Sequence, residues 1–286
     1  MITSQQISRY YDEYGEQEVT FTRQVSQILH LLPKQVFLKC QADTLPCLIY
    51  SSSLLGAKVL ASLRLETLWR LQESSGALAL RFCFARENGK APLAFFVSVR
   101  LTAQTVYNRE TPDLYFLSLE YTHRPPDDLI EMLGELQEAN RNAQKRAEER
   151  LEVTPASTKY LGLESREAVL VVDGVESRCL LRDLSFSGAK VLVYGKAEAF
   201  LEKPVLLRPD FSDRRAQVTL AGRVLRWEGM ANREDIGAVA ILFESEGIPI
   251  QYKLAINAAL RHGTRAGEPG FRGTGLAPRA AEEPEK

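Results

Sequence analysis

Histidine is scarce in this chain: three residues in 286, with four cysteines, three methionines and two tryptophans. So few imidazoles leave little material for general base catalysis. None of the common catalytic or phosphate-cradling signatures is present, neither Gly-x-x-x-x-Gly-Lys-Ser/Thr, Gly-x-Gly-x-x-Gly, His-Glu-x-x-His nor Gly-x-Ser-x-Gly, so an enzyme is not expected. Cys40, Cys47, Cys83 and Cys179 lack the paired spacing of a metal site, and the reading is four reduced thiols in strands with no metal. Long apolar runs are also missing. Stretches such as 94–97 are strand-sized, far short of the roughly 18–20 residues that cross a membrane. The opening Met-Ile-Thr-Ser-Gln-Gln carries no basic segment followed by an apolar run, so no signal peptide is expected and the location expected is the cytoplasm. With 36 basic and 37 acidic residues the net charge is −1, which argues against non-specific nucleic-acid binding. Any anionic ligand must be held by a local cluster.

What the chain does have is an ordinary globular composition, 45% apolar and 26% charged, at a length suited to two domains. It also repeats itself. Cys47-Leu-Ile-Tyr-Ser-Ser-Ser-Leu-Leu-Gly-Ala-Lys-Val-Leu60 lies over Cys179-Leu-Leu-Arg-Asp-Leu-Ser-Phe-Ser-Gly-Ala-Lys-Val-Leu192, with eight of fourteen positions identical. Chance gives about one match in such a window, so a duplicated module is the explanation.

Each copy is led in by a β-rich run, 35–39 and 168–172. Short segments rich in Val, Leu, Phe and Tyr follow: 81–85, 94–101 and 114–121 in the first copy, then 205–208, 217–227 and 236–244 in the second. Segments of this length, broken by Gly, Pro, Asn and Asp, predict small antiparallel barrels. A helical pattern closes each copy, 127–141 after Pro125-Pro126 and 249–261 in the second. The fold expected is mainly β: two tandem barrels, each with a trailing helix, after a mostly helical lead-in over 4–32. Domain limits are placed at 1–140 and 141–262, with a disordered tail over 263–286.

Chemistry concentrates at Arg146-Ala-Glu-Glu-Arg150 and Asp183-Leu-Ser185-Phe-Ser-Gly188. The stretch 138–152 has high helix propensity, so the two arginines are expected on one helix face, where they repel unless an anion sits between them. The second motif reads structurally as a turn in which Asp and Ser bond local backbone and Gly supplies a positive φ. Ser53 and Gly56 stand at the positions of Ser185 and Gly188, so those types are partly scaffold. Asp183 is matched by Ser51. Upstream of copy one, only Arg23 and Gln27 offer a comparison with the arginine pair. Arginine grips phosphate oxygens with a planar fork, reads the O6/N7 edge of guanine and stacks on purines. A carboxylate accepts the N–H groups of guanine's other edge. The set suits a compact guanine nucleotide with more than one phosphate.

Taken together the two motifs resemble the signature of PilZ domains, and Gly222-Arg-Val-Leu-Arg-Trp227 is similar to a barrel strand of that family. Over roughly 1–262 the chain resembles the two-domain PilZ proteins of spirochaetes, the PlzA type. Pro125-Pro-Asp-Asp-Leu-Ile-Glu131 and Leu181-Arg-Asp-Leu-Ser-Phe-Ser-Gly-Ala-Lys190 carry that closer likeness. The resemblance implies a cyclic di-GMP receptor, with Arg146, Arg150, Asp183, Ser185 and Gly188 holding the ligand. The arginines would lie on an arm at the barrel edge, and a first barrel without the ligand motif would precede a competent one. Lys145 would influence ligand stoichiometry, and Arg182, Arg226 and Trp227 are secondary candidates. It further implies a downstream protein partner and a role in motility or virulence. Two alternatives stay open: a ligand-independent interaction platform, and a barrel that binds single-stranded nucleic acid.

Overall fold

A computed structural model describes residues 3–41, 43–73, 78–86, 90–195, 200–212, 217–230 and 233–266. They fall into two compact units, Met1–Arg141 and Asn142–Lys286. The first opens with α1 (Ser4–Tyr14), capped by the Thr3 side chain, then β1 (Val19–Thr20) and α2 (Arg23–Ile28), capped by Thr22. Its sheet contains β2 (Phe37–Cys40), β3 (Asp43–Pro46), β4 (Leu48–Ser52) and β5 (Gly56–Ser62). After α3 (Leu65–Glu73) come β6 (Leu78–Phe84), β7 (Leu93–Asn108) and β8 (Thr111–Tyr121). Then α4 (Asp127–Lys145) begins with two acidic residues in its first turn, matching the helix dipole.

The second unit contains β9 (Leu151–Glu152), α5 (Ser157–Leu161), β10 (Leu163–Val172), β11 (Val175–Leu184) and β12 (Gly188–Tyr194). β13 (Pro204–Phe211), β14 (Leu220–Met230), β15 (Arg233–Phe243) and α6 (Ile250–Ala266) complete it. The strands pair in the order β10-β13-β14-β15-β12-β11, and a further β10–β11 pairing closes six of them into an antiparallel barrel. Alternate residues turn inward, so Leu170, Leu181, Val191, Leu207, Val224 and Val239 are fully buried and meet Tyr252 and Ile256 of α6.

The N-terminal unit repeats this plan ladder by ladder. Its order, β4-β5-β8-β7-β6-β2-β3, places β2 against β3, and β3 runs into β4 with only Cys47 between. β3 and β4 together therefore do what β11 does alone, pairing forward with one neighbour and onward with the other. The registers coincide: Phe37 pairs Pro46 as Val169 pairs Arg178, and Ser51 pairs Lys58 as Asp183 pairs Lys190. Even the bulges coincide, between Ile49 and Ser51 and between Leu181 and Asp183.

Two sequence expectations change and a third is sharpened. The helical lead-in is part of the first module, because β1 pairs β4 (Val19 with Ser52) as β9 pairs β11 (Leu151 with Leu184). Capped helix α2 likewise answers to α5. The trailing helices run further than 127–141 and 249–261, to Lys145 and Ala266. The tail expected from 263 therefore starts inside a helix, and its remainder, 267–286, lies outside the described residues.

Candidate functional site

Ser185 and Gly188 build the turn between β11 and β12. Ser185 is fully buried; its amide donates to the Gly188 carbonyl at 2.8 Å, and its Oγ accepts from the Gly188 amide at 3.0 Å. Below, the buried Tyr252 hydroxyl donates to the Ser185 carbonyl at 2.7 Å. Burial raises the Tyr252 pKa well above its ordinary value; the charge of Asp183 adds to the rise and that of Arg150 opposes it. Gly188 does not have a positive φ, contrary to the turn expectation. Glycine is needed there for room, since a Cβ would stand 2.3 Å from the Ile241 carbonyl oxygen. Gly56 meets the same limit, 2.5 Å from the Leu119 carbonyl oxygen, which explains why both modules keep the residue.

The arginines are not on a helix face. α4 ends at Lys145, and Arg146 to Arg150 form a turn leading into β9. The Arg146 amide still bonds the Asn142 carbonyl at 2.8 Å, but the Ala147 carbonyl is drawn away by Ser187. Ser187 donates to it from Oγ at 2.7 Å and from its amide at 3.0 Å. That pair of bonds ties the arginine segment to the Asp-Leu-Ser-Phe-Ser-Gly turn. Arg150 then donates to Asp183 Oδ1 at 2.5 Å, with both side chains about a quarter to a third exposed (34% and 22%). Arg146 points to Glu149 at 3.7 Å and is nearly half exposed.

The structure thus brings Arg150, Asp183, Ser185 and Gly188 together, with Arg146 on the same tied turn. Among the secondary candidates, Lys145 is exposed at the last helical residue, and Arg182 is the exposed bulge residue whose carbonyl accepts from Val153 at 2.8 Å. Arg226 bonds Glu228 at 2.9 Å. Trp227 packs against the barrel core and crowds Gly237. Sequence reading passed over Ser187, whose only signal was a leucine, Leu55, at the matching place in copy one. It also passed over Lys190 and Glu228, which bond each other at 2.8 Å. The Lys190 hydrogen bond holds the Glu228 carboxyl below its usual range; burial opposes it, and the Lys190 and Arg226 charges add to the lowering.

A curated protein of Treponema denticola, named cyclic di-GMP binding protein, is 41% identical over 254 residues, covering 89% of this chain and 81% of its own length. The chain belongs to the PilZ-domain cyclic di-GMP receptor family. The family model described as the PilZN3 domain matches residues 5–140. Among solved structures, Borreliella burgdorferi PlzA in complex with c-di-GMP is 20% identical, covers 90% of this chain and 98% of its own, and gives a TM-score of 0.42. Escherichia coli YcgR in complex with c-di-GMP is 13% identical, covers 84% and 89%, and gives 0.27. Assignment to the family rests on the Treponema relative, not on these two superpositions.

The residues that the PilZN3 model matches make up the module without the arginine motif. Strand register corrects the comparison made from sequence: the places of Arg146 and Arg150 fall on Tyr14 and Glu18, not on Arg23 and Gln27. Glu18 is bound by Lys58 at 2.9 Å. Where the second module offers a cation beside a carboxylate, the first offers a carboxylate already neutralised by lysine. Among the described residues no group of three or more His, Cys, Asp and Glu side chains could hold a metal ion. No helix among them is long and apolar enough to cross a membrane.

Proposed function

We propose that this chain is a receptor for cyclic di-GMP that binds the dinucleotide at its C-terminal module. Arg146 and Arg150 grip phosphate and guanine from the turn after α4, Asp183 accepts N–H groups of guanine, and Ser185 and Gly188 shape the turn so that backbone can approach the ligand. The observation that carries this reading is the Arg150–Asp183 pair, present where the duplicated module has Glu18 and Ser51. A barrel of identical register that lacks both residues shows that the fold does not need them. The name of the Treponema relative supports the choice of ligand.

Residues 142–150 also join the two modules in sequence, so ligand held by both arginines would order the junction. Binding then changes how the modules are arranged, and the N-terminal one serves as the surface read by a partner protein. Isothermal titration of cyclic di-GMP tests the binding claim, with the Arg146→Ala, Arg150→Ala double variant as control. Loss of binding in the variant is expected; undiminished binding would remove the site assignment. X-ray scattering with and without saturating ligand tests rearrangement, and superimposable profiles would remove that part alone.

A further inference from the structure

Cross-strand pairing lines up five residues on one outer row of the second barrel. Glu152 opposes Asp183, Asp183 opposes Lys190, Lys190 opposes Ala240, and Ala240 opposes Arg226. Residues directly opposed in this way share a face. In the first module the same row reads Thr20, Ser51, Lys58, Ser118 and Ala103. Only the lysine is common to both, so the other four differences follow the asymmetry that singles out Asp183.

At the far end of the row one anion satisfies two cations. Glu228 stands two residues beyond Arg226, on the same face of β14. Its Oε2 accepts from Lys190 Nζ at 2.8 Å and its Oε1 from Arg226 Nε at 2.9 Å. The bridge from β12 to β14 passes over β15, where Ala238 and Ala240 leave a shelf without bulk. Two oxygens of one anionic group, each met by its own cation, is the arrangement that a phosphodiester would also adopt.

We infer that Lys190 and Arg226 form a phosphate subsite, and that Glu228 occupies it as an internal counter-anion that the ligand must displace. This rests on the cyclic di-GMP reading above and adds a second anchor to it. Lys190 directly opposes Asp183, about 5 Å away at the usual interstrand distance, and Arg226 lies two strands further round the curved barrel wall. The subsite therefore begins beside the Asp183 anchor and extends away from it, so a ligand with more than one phosphate can engage both. Side-chain exposures of 29%, 43% and 53% for Lys190, Glu228 and Arg226 mark ion pairs that the barrel does not need for its core.

The test is titration of cyclic di-GMP into the full chain at low salt. Glu228→Gln keeps the shape and removes the competing charge, so affinity is expected to rise by about three- to tenfold, while Glu228→Asp, which keeps the charge, stays near the wild type. Lys190→Met with Arg226→Met is expected to weaken binding by about tenfold or more and to flatten its salt dependence. Unchanged or weaker binding by Glu228→Gln, with the wild type binding and Arg150→Ala not, overturns the subsite alone. Absence of binding by the wild type overturns both readings.

Discussion

Ser187 holds Ala147 across forty positions of sequence, with Oγ 2.7 Å from the carbonyl oxygen and the amide 3.0 Å from it. The bonded carbonyl lies between Arg146 and Arg150, so this one contact fixes the arginine turn against the barrel. In the first module the corresponding Leu55 packs near Gly15, whose carbonyl accepts a single bond from the Leu54 amide at 3.1 Å. Ser187→Ala removes the Oγ bond while leaving the amide bond, and about 1 kcal/mol of stability is expected to be lost. Ligand affinity is expected to fall by about three- to tenfold, because the arginines must then be ordered on binding. Paired thermal melts and titrations check it; a melt change without an affinity change would make Ser187 purely a fold residue.

Gly188→Ala pushes a methyl group to 2.3 Å from the Ile241 carbonyl oxygen, so β12 and β15 must separate locally. Overpacking of this kind costs about 1–3 kcal/mol. Gly56→Ala, at 2.5 Å from the Leu119 carbonyl oxygen, is expected to cost a similar amount in the first module. Denaturant unfolding of the two variants checks this. Only Gly188→Ala is expected to disturb ligand binding, which separates a scaffold cost from a site cost.

Cys47 and Cys179 occupy matching places in the two modules, and burial pushes both thiols up to about 12. Thiolate is the reactive form, so neither is expected to react with a disulfide reagent at pH 8 in the native protein, while both do so in denaturant. The same shift has a consequence for stability. An acid whose folded pKa lies above its unfolded one favours unfolding once the unfolded thiol ionises. Stability is expected to decline from about pH 9 towards about pH 12. Replacing both residues with alanine should lessen that decline in a pH series of urea melts, most clearly below about pH 10, where the buried Tyr121 and Tyr252 hydroxyls do not yet contribute.

The duplication was legible in Gly-Ala-Lys-Val-Leu because those residues sit where two strands crowd and the core is fully buried. Ala57, Val59, Ala189 and Val191 face the core, and their glycines face a backbone oxygen. The start of the first module was not legible. Tyr14 and Glu18 share no residue type with Arg146 and Arg150, and only the pairing of Val19 with Ser52 reveals their equivalence. Helical propensity over 138–152 misplaced the arginines for a related reason. Propensity is local, whereas the segment after Lys145 is held as a turn by Ser187, distant in sequence, which bonds the Ala147 carbonyl. Lys190 and Glu228 escaped notice because their meeting depends on strand order, which a linear pattern does not contain.

The Arg150–Asp183 bond offers a way to separate a structural ion pair from a ligand site. Either single alanine variant leaves a partly buried charge beside Tyr252, and a loss of about 1 kcal/mol is expected from each. Both singles are expected to lose cyclic di-GMP binding, so singles alone do not tell fold from function. The exchange variant Arg150→Asp, Asp183→Arg keeps one cation and one anion in contact and is expected to recover much of the lost stability. It moves the guanidinium off the turn tied by Ser187 and removes the carboxylate from β11. Binding is expected to stay at the level of the single variants. Recovery of affinity together with stability would mean that the pair acts through the fold, and the proposed ligand contacts would have to be sought elsewhere on the barrel.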